Sequence, residues 1–365
     1  MSLQALRPLN AFRPFTTPVG GAAAVDPLAA LIAALFGNDE EGGLWLPGPT
    51  TCFTDTAGTT AAGVGDTVAR INDSSGNGNH AIQATAGSRP ALGRTVEEGR
   101  RNLFLATEAL NASPWSLTRA TITANAPDPN GGTTAFALNQ ATGQTSAGGV
   151  FIANPVSLDV QFTVSAYVKA NGKNFCRILP SGGVNNAVWF NLTTGSVAKQ
   201  GTGSVGAIES VGDGWYRCSV TRTETGAMGN FVVYPSDTDN SDVVTDSGGI
   251  YIWRPQIELG STPTDYQRVG ASALDVTEAG KKELYYLKDD GIDDSLVATF
   301  AASLGADCTI VRADQTGVVT QTAQTVGTTY DIMAATDIYG LCIVDRALTA
   351  GELASLQAYM TGRRP

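Results

Sequence analysis

Apolar and polar positions alternate with a period of two through much of this chain. In Phe162-Thr163-Val164-Ser165-Ala166-Tyr167-Val168-Lys169 the even-numbered Phe162, Val164, Ala166 and Val168 are expected to face a core. Trp215-Tyr216-Arg217-Cys218-Ser219-Val220-Thr221 and Ile250-Tyr251-Ile252-Trp253 repeat the pattern. From Gly43 onward, short runs of Val, Ile, Thr and aromatics recur between clusters of Gly, Asn, Asp and Ser, the spacing of a sandwich rather than of βαβ units. Helical punctuation is found at the two ends. Asp26 can cap a helix with Pro27 at its first position and Gly37 as its stop, and Leu28, Leu31, Ile32 and Leu35 form its apolar stripe. Such a helix either buries against its own domain or packs against copies of itself around a symmetry axis. Near the C-terminus, Thr349-Ala350-Gly351-Glu352 reads as a capping box with Leu348 and Leu353 as its staple, followed by a stripe of Leu353, Leu356 and Met360.

Ahead of the first helix, Leu6-Arg7-Pro8-Leu9 is echoed by Phe12-Arg13-Pro14-Phe15. Proline fixes φ and holds the preceding residue extended, so this stretch is expected to run as an open arm outside any central sheet. It is either a loose terminus or a segment that docks into another protein, with Arg7 and Arg13 meeting carboxylates there.

Composition narrows the class. Among 365 residues, 42 Gly, 16 Pro and only 16% charged side chains disfavour coiled coils and long-helix bundles, and 42% hydrophobic residues are too many for disorder. A net charge of -11 argues against nucleic acid as the main partner. His80 is the single histidine, so one chain cannot build a two-His zinc site, and any Ser-His-Asp triad would run through that residue. Cys52, Cys176, Cys218, Cys308 and Cys342 are odd in number and lack CxxC spacing, as in reduced thiols of a chain folded in a cytosol; a Cys176–Cys218 pair stays open. The longest apolar stretch, Pro27 to Phe36, is about half the ~20 residues a bilayer crossing needs, and no signal peptide is read.

Three segments carry a resemblance. Asp73-Ser74-Ser75-Gly76-Asn77-Gly78-Asn79-His80-Ala81, Asp289-Asp290-Gly291-Ile292-Asp293-Asp294 and Leu341-Cys342-Ile343-Val344-Asp345-Arg346-Ala347-Leu348-Thr349 resemble the concanavalin A/laminin-G-like jelly roll. In that family the first segment is a turn, and an F-D-G-x-D-D strand follows within a few tens of residues. Here the two lie about two hundred residues apart, and Lys288-Asp289 stands where an aromatic and Asp are usual. An insertion explains the gap.

The insert, from about Arg101 to Gly270, has its own resemblance. It carries Asn102-Leu103-Phe104-Leu105-Ala106-Thr107-Glu108, Pro114-Trp115, Gly212-Asp213-Gly214-Trp215-Tyr216-Arg217-Cys218 and a closing Ile250-to-Tyr266 segment. Their order is similar to that in carbohydrate-binding-module-like jelly rolls of phage tail and virion appendage proteins. The two resemblances imply a mainly β fold: two jelly-roll β-sandwiches, one inserted into the other, plus an extended N-terminal arm with a short helix and a short C-terminal helix. The expected division is 1–42 for the anchoring arm and helix, 43–100 with 271–365 for the split jelly roll, and 101–270 for the insert.

The chemistry expected is binding. Modules of this kind stack exposed aromatic rings on pyranose faces, with Asn, Asp and Arg supplying hydrogen bonds. Trp215 and Trp253, in alternating strands, are expected in the core; Trp115, Trp189 beside Asn185, Asn186 and Asn191, and Tyr234 before the acidic loop Asp237, Asp239, Asp242 and Asp246 are the glycan candidates. Asp289, Asp290, Asp293 and Asp294 form a tempting carboxylate cluster for glycan hydrolysis, but in a strand they would point to alternating faces, and a structural role is expected. The Asp73-to-His80 segment offers oxygen ligands for Ca²⁺, yet its Gly steps suit a metal-free tight turn, with His80 as a hydrogen-bonding residue. No catalytic residue, metal or cofactor is assigned. The resemblance implies a virion appendage, a tail fibre or head spike, folded in a host bacterial cytoplasm. Arg7, Pro8, Phe12, Arg13, Pro14 and Phe15 would attach it to capsid, portal or tail proteins, and its sandwiches would meet host cell-surface polysaccharide. A homo-oligomer is expected, a trimer ahead of a pentamer. The rivals are a purely structural decoration or collar protein and a capsule depolymerase.

Overall fold

A computed structural model describes residues 26–97, 100–227, 229–240, 243, 247–333 and 336–365. The arm residues Arg7, Pro8, Phe12, Arg13, Pro14 and Phe15, and Asp242 and Asp246 of the acidic loop, lie outside the described residues. Strands make up 46% and helices 8%, a mainly β architecture.

The first sandwich is built from both ends of the described chain. Its larger sheet runs in the order Gly317–Val326, Gly305–Asp314, Ile338–Val344, Glu283–Lys288, Ala91–Val96, with Gly42–Trp45 also pairing onto Ile338–Val344. The facing sheet consists of five short strands, Cys52–Phe53, Arg70–Ile71, Ala81–Ile82, Val297–Thr299 and Thr329–Asp331. Strand Ile338–Val344 is buried along its whole length because both of its faces are covered. Ile338, Leu341 and Ile343 enter the core between the sheets with Trp45, Ile71 and Leu92, whereas Tyr339, Cys342 and Val344 pack under the helices α1 (Pro27–Phe36) and α2 (Ala350–Thr361).

Both helices follow their punctuation. Asp26 accepts the amide of Leu28 at 3.0 Å, and Leu31 and Leu35 are buried while Ala29, Ala30, Ala33 and Ala34 stay exposed. The leucine stripe is thus covered by its own sandwich, leaving a face of small side chains. The capping box of α2 is complete, with Thr349 Oγ1 accepting from Glu352 N and Glu352 Oε2 accepting from Thr349 N at 2.7 Å.

The second sandwich comprises strands between residues 116 and 259. One sheet has the order Ser204–Gly212, Trp215–Thr223, Gln161–Asn171, Gly249–Leu259, Ala135–Gln140, Ala120–Ala126; the other has Ser196–Gln200, Val188–Asn191, Phe175–Leu179, Asn230–Ser236, Gly149–Ala153, Ser116–Thr118. Phe162, Val164, Ala166 and Val168 all face the core between them, as their alternation predicts. Trp215 and Trp253 are buried, but in a separate cluster with Tyr167 and Tyr251 on the outer face of the first of these sheets. Residues flanking this sandwich are knitted together: Asn102 donates to Gln267 O at 2.9 Å and accepts from Phe104 N and Ile257 N at 3.1 Å each. All five cysteines are free and buried.

Candidate functional site

The second sandwich has two outer faces that read alike in sequence, each with tryptophan, tyrosine and arginine. On the sheet containing Gly249–Leu259, the polar groups turn inward onto the protein's own loop. Glu258 accepts from Thr264 N at 2.8 Å, Thr264 Oγ1 at 2.7 Å and Gln256 Nε2 at 2.7 Å, and Arg217 donates to Thr264 O. Trp253 donates its indole N–H to Thr134 Oγ1 at 2.8 Å, and the Arg254 guanidinium lies 3.8 Å from the Trp253 ring centroid. The Ile250-to-Tyr266 segment is therefore a structural clasp over residues 260–266.

The opposite sheet arranges its outer side chains in a row. Cross-strand register places Lys199 beside Trp189, Trp189 beside Arg177, and Arg177 beside Tyr234, so four strands present one residue each to the same face, a span of about 14 Å. A register shift between Trp189 and Phe190 brings Lys199 opposite Trp189, the re-aiming that a bulge allows. Arg177 Cζ lies 4.0 Å from the Tyr234 ring centroid and 5.6 Å from that of Trp189, and Lys199 Nζ lies 5.2 Å from the latter. Burial pushes the Arg177 guanidinium below its ordinary pKa, with Tyr234 opposing that shift. At the Lys199 end, Asn185, Trp189, Lys199, Gln200, Gly201, Thr202 and Asn240 line a cavity of about 330 Å³.

Trp189 differs from Trp45, Trp115 and Trp253 in its hydrogen bonding. Trp45 donates to Asn79 O at 2.9 Å, Trp115 to Leu105 O and Ala106 O at 3.0 Å, and Trp253 to Thr134; the buried indole N–H of Trp189 has no acceptor among the described residues. Buried Trp N–H groups ordinarily find a partner, so an unspent donor on a ring that lines a polar cavity makes Trp189 the candidate to meet a ligand acceptor there once its N–H is uncovered.

The sequence candidates divide accordingly. Trp115 is corrected: it is 5% exposed, packs against Phe104 and Phe231, and spends its N–H internally, so it offers nothing to a sugar. Its Ser-Pro-Trp-Ser setting suggests a turn, but the ring closes the core beneath that turn. Trp189 and Tyr234 do share a face, yet not as open stacking platforms, since Trp189 is itself 5% exposed and both rings carry a cation. Of the neighbouring asparagines, Asn185 lines the cavity, whereas Asn186 donates to Gly182 O at 2.7 Å and Asn191 accepts from Thr193 N at 2.9 Å. Sequence reasoning missed Arg177, Lys199, Gln200, Thr202 and Asn240. The Asn191-to-Gly195 turn, which fixes the hairpin register, was the signal that could have paired Lys199 with Trp189.

The acidic segments take other roles. Asp73 anchors a turn: its carboxylate accepts from Leu44 N, Ser75 N, Ser75 Oγ and Asn79 N at 2.7–3.1 Å, and His80 Nδ1 accepts from Asp73 N at 3.1 Å. Burial holds His80 below its ordinary pKa. Asp289–Asp294 is not a strand as expected but a turn beyond Lys288, with Gly291 at φ +76° and Asp290 N donating to Asp294 Oδ2 at 2.8 Å. Carboxylate oxygens of Asp289, Asp290 and Asp294 converge within 4.8 Å and could hold a divalent cation, the oxygen set that hard cations take. Burial, then the surrounding carboxylates, raise the pKa of Asp294. Asp237 is paired with the buried Lys173 rather than forming part of a free acidic tip.

No family model and no curated protein matches this sequence. Among solved structures, the enzymatically active domain of bacteriophage CBA120 tailspike protein 4 is similar at 17% identity and a TM-score of 0.28, over 42% of this chain and 20% of that one. The CBM22-1 xylan-binding domain of Paenibacillus barcinonensis Xyn10C is similar at 14% identity and a TM-score of 0.28, over 46% of this chain and 99% of that domain. The CBM22-1–GH10 modules of Clostridium thermocellum Xyn10B are similar at 14% and 0.27, over 46% of this chain and 29% of that one. Scores of this size establish no function.

Proposed function

We propose that this chain binds polysaccharide at the cavity formed by Trp189, Lys199 and their amide and hydroxyl neighbours. The unpartnered Trp189 N–H in a wall of Asn, Gln and Thr side chains carries the reading. A cavity of about 330 Å³ is at the lower end of the range for small-ligand sites and suits one or two sugar units of a longer chain. Affinity electrophoresis of the full chain in gels containing host capsule polysaccharide or lipopolysaccharide should retard the protein. Retardation should be lost in Trp189→Ala, with folding checked by circular dichroism. Equal migration with and without polysaccharide overturns the reading and leaves a structural decoration or collar protein. Release of reducing ends would make it a depolymerase instead.

The finer reading, resting on the sequence resemblance, is a tail fibre or head spike of a bacteriophage or phage-like particle. Residues 1–42 attach it to capsid, portal or tail, and residues 101–270 and the split 43–100/271–365 unit are its two jelly rolls. Deleting residues 1–20 should abolish incorporation into particles while the β sandwiches stay folded; normal incorporation overturns the attachment. Mass photometry should report a homo-oligomer, a trimer ahead of a pentamer.

A further inference from the structure

We infer that the saccharide taken by this cavity is anionic, bearing a carboxylate or phosphate that meets Lys199; this rests on the glycan-binding reading above. The argument is one of charge and of donor balance. Among the described residues, Lys199 is the sole charged side chain in the cavity wall and pairs with no carboxylate. Its ammonium donates to Asn240 Oδ1 and lies 5.2 Å from the Trp189 ring centroid. A cation held over an indole face blocks stacking there, so recognition must go through polar contacts.

Those contacts are donors at most positions, the Asn185 amide, with an oxygen as well as an NH₂ to offer, being the exception. Gln200 spends its side-chain oxygen on Gly206 N at 2.8 Å and Asn240 spends its own on Lys199, which leaves both amide NH₂ groups for a ligand. The Thr202 hydroxyl can supply another donor, and the unspent indole N–H of Trp189 can join them where the ring shifts to uncover it. A neutral sugar hydroxyl both donates and accepts, whereas a carboxylate or phosphate only accepts, and a wall of one cation and several unspent N–H groups complements the latter. The chain as a whole carries a net charge of -11, which repels polyanions over most of its surface; a basic cavity then fixes where an acidic glycan can approach.

The test uses the full chain on a glycan array carrying uronate-, sialate- and phosphate-bearing bacterial saccharides beside neutral counterparts. The acidic probes should bind, more weakly at high salt, and Lys199→Gln should weaken that binding about tenfold or more, as loss of a charge-assisted hydrogen bond requires. Lys199 is exposed, so the variant should keep the wild-type melting temperature. The separate uronate and phosphate arms identify which anion is read. Binding to neutral saccharides alone, or acidic binding unchanged in Lys199→Gln, overturns this inference while leaving glycan binding intact. Binding to no saccharide overturns the glycan reading and this inference with it.

Discussion

The outer faces around Trp253 and Trp189 belong to the same sandwich and use the same kinds of residue, yet they differ in where their indole, amide and acidic groups are spent. Around Trp253, the indole N–H, Gln256, Glu258 and Arg217 are bonded to Thr134 and to the 260–266 loop. Around Trp189, the indole N–H is unpartnered and Lys199 meets only a neutral amide among the described residues. The Trp253 face is a clasp because its carboxylate, amide and indole are spent on the chain, although Arg217 Nε and Arg254 Nε stay without a hydrogen bond among the described residues. The Trp189 face differs in that its unspent groups line a cavity. Residue type alone does not separate the two, because Arg beside Trp and Tyr is common to both.

The largest effect that would sharpen this contrast is expected at Glu258. Glu258→Ala removes a buried carboxylate that holds two donors of Thr264 and one of Gln256 and pairs with Arg100 at 3.4 Å, and should cost roughly 3 kcal/mol or more in urea unfolding. A cost comparable to that of an ordinary surface change, within about 0.5 kcal/mol, would break the clasp account. Next come the tryptophans themselves. Trp253→Phe removes the indole hydrogen bond to the Thr134 hydroxyl, which keeps its bond to Asp128, and should destabilise by about 1 kcal/mol beyond the cost of Trp189→Phe, which loses no internal hydrogen bond. In saccharide binding the order should reverse, with Trp189→Phe weakened and Trp253→Phe unchanged.

The smallest effect lies away from both faces, at the cap of α2. Hydrogen bonds from Arg346 and Thr349 lower the Glu352 pKa from 4.5 to about 2, so the folded state holds this carboxylate ionised more readily than the unfolded state. Its stabilising contribution is therefore complete above about pH 4.5 and is lost as pH falls toward about 2. Glu352→Gln should flatten that part of the acid unfolding profile while leaving saccharide binding at neutral pH untouched; an unchanged profile contradicts the assignment.

Legibility in the sequence followed the range of the interaction. The caps of both helices and the core alternation of Phe162 to Val168 are local signals, and the structure realises them. The Asp289–Asp294 segment was misjudged as a strand because its family pattern is one, whereas Gly291 at positive φ and the Asp290–Asp294 hydrogen bond bend it into a turn. Trp115 was misjudged because a turn in sequence says nothing about which way its ring packs. The Lys199–Trp189–Arg177–Tyr234 row depends on the pairing of four strands, and only its Lys199–Trp189 hairpin has a local signature.

The central claim, that Trp189 is the tryptophan kept for a ligand, is tested most directly by following the five indole N–H resonances in a ¹H–¹⁵N spectrum during titration with the saccharide that binds. The resonance that disappears in Trp189→Phe should move with saturation at the binding constant, while that of Trp253 stays fixed. A Trp189 resonance that does not move at saturation, or a shift of Trp253 in its place, would contradict the account.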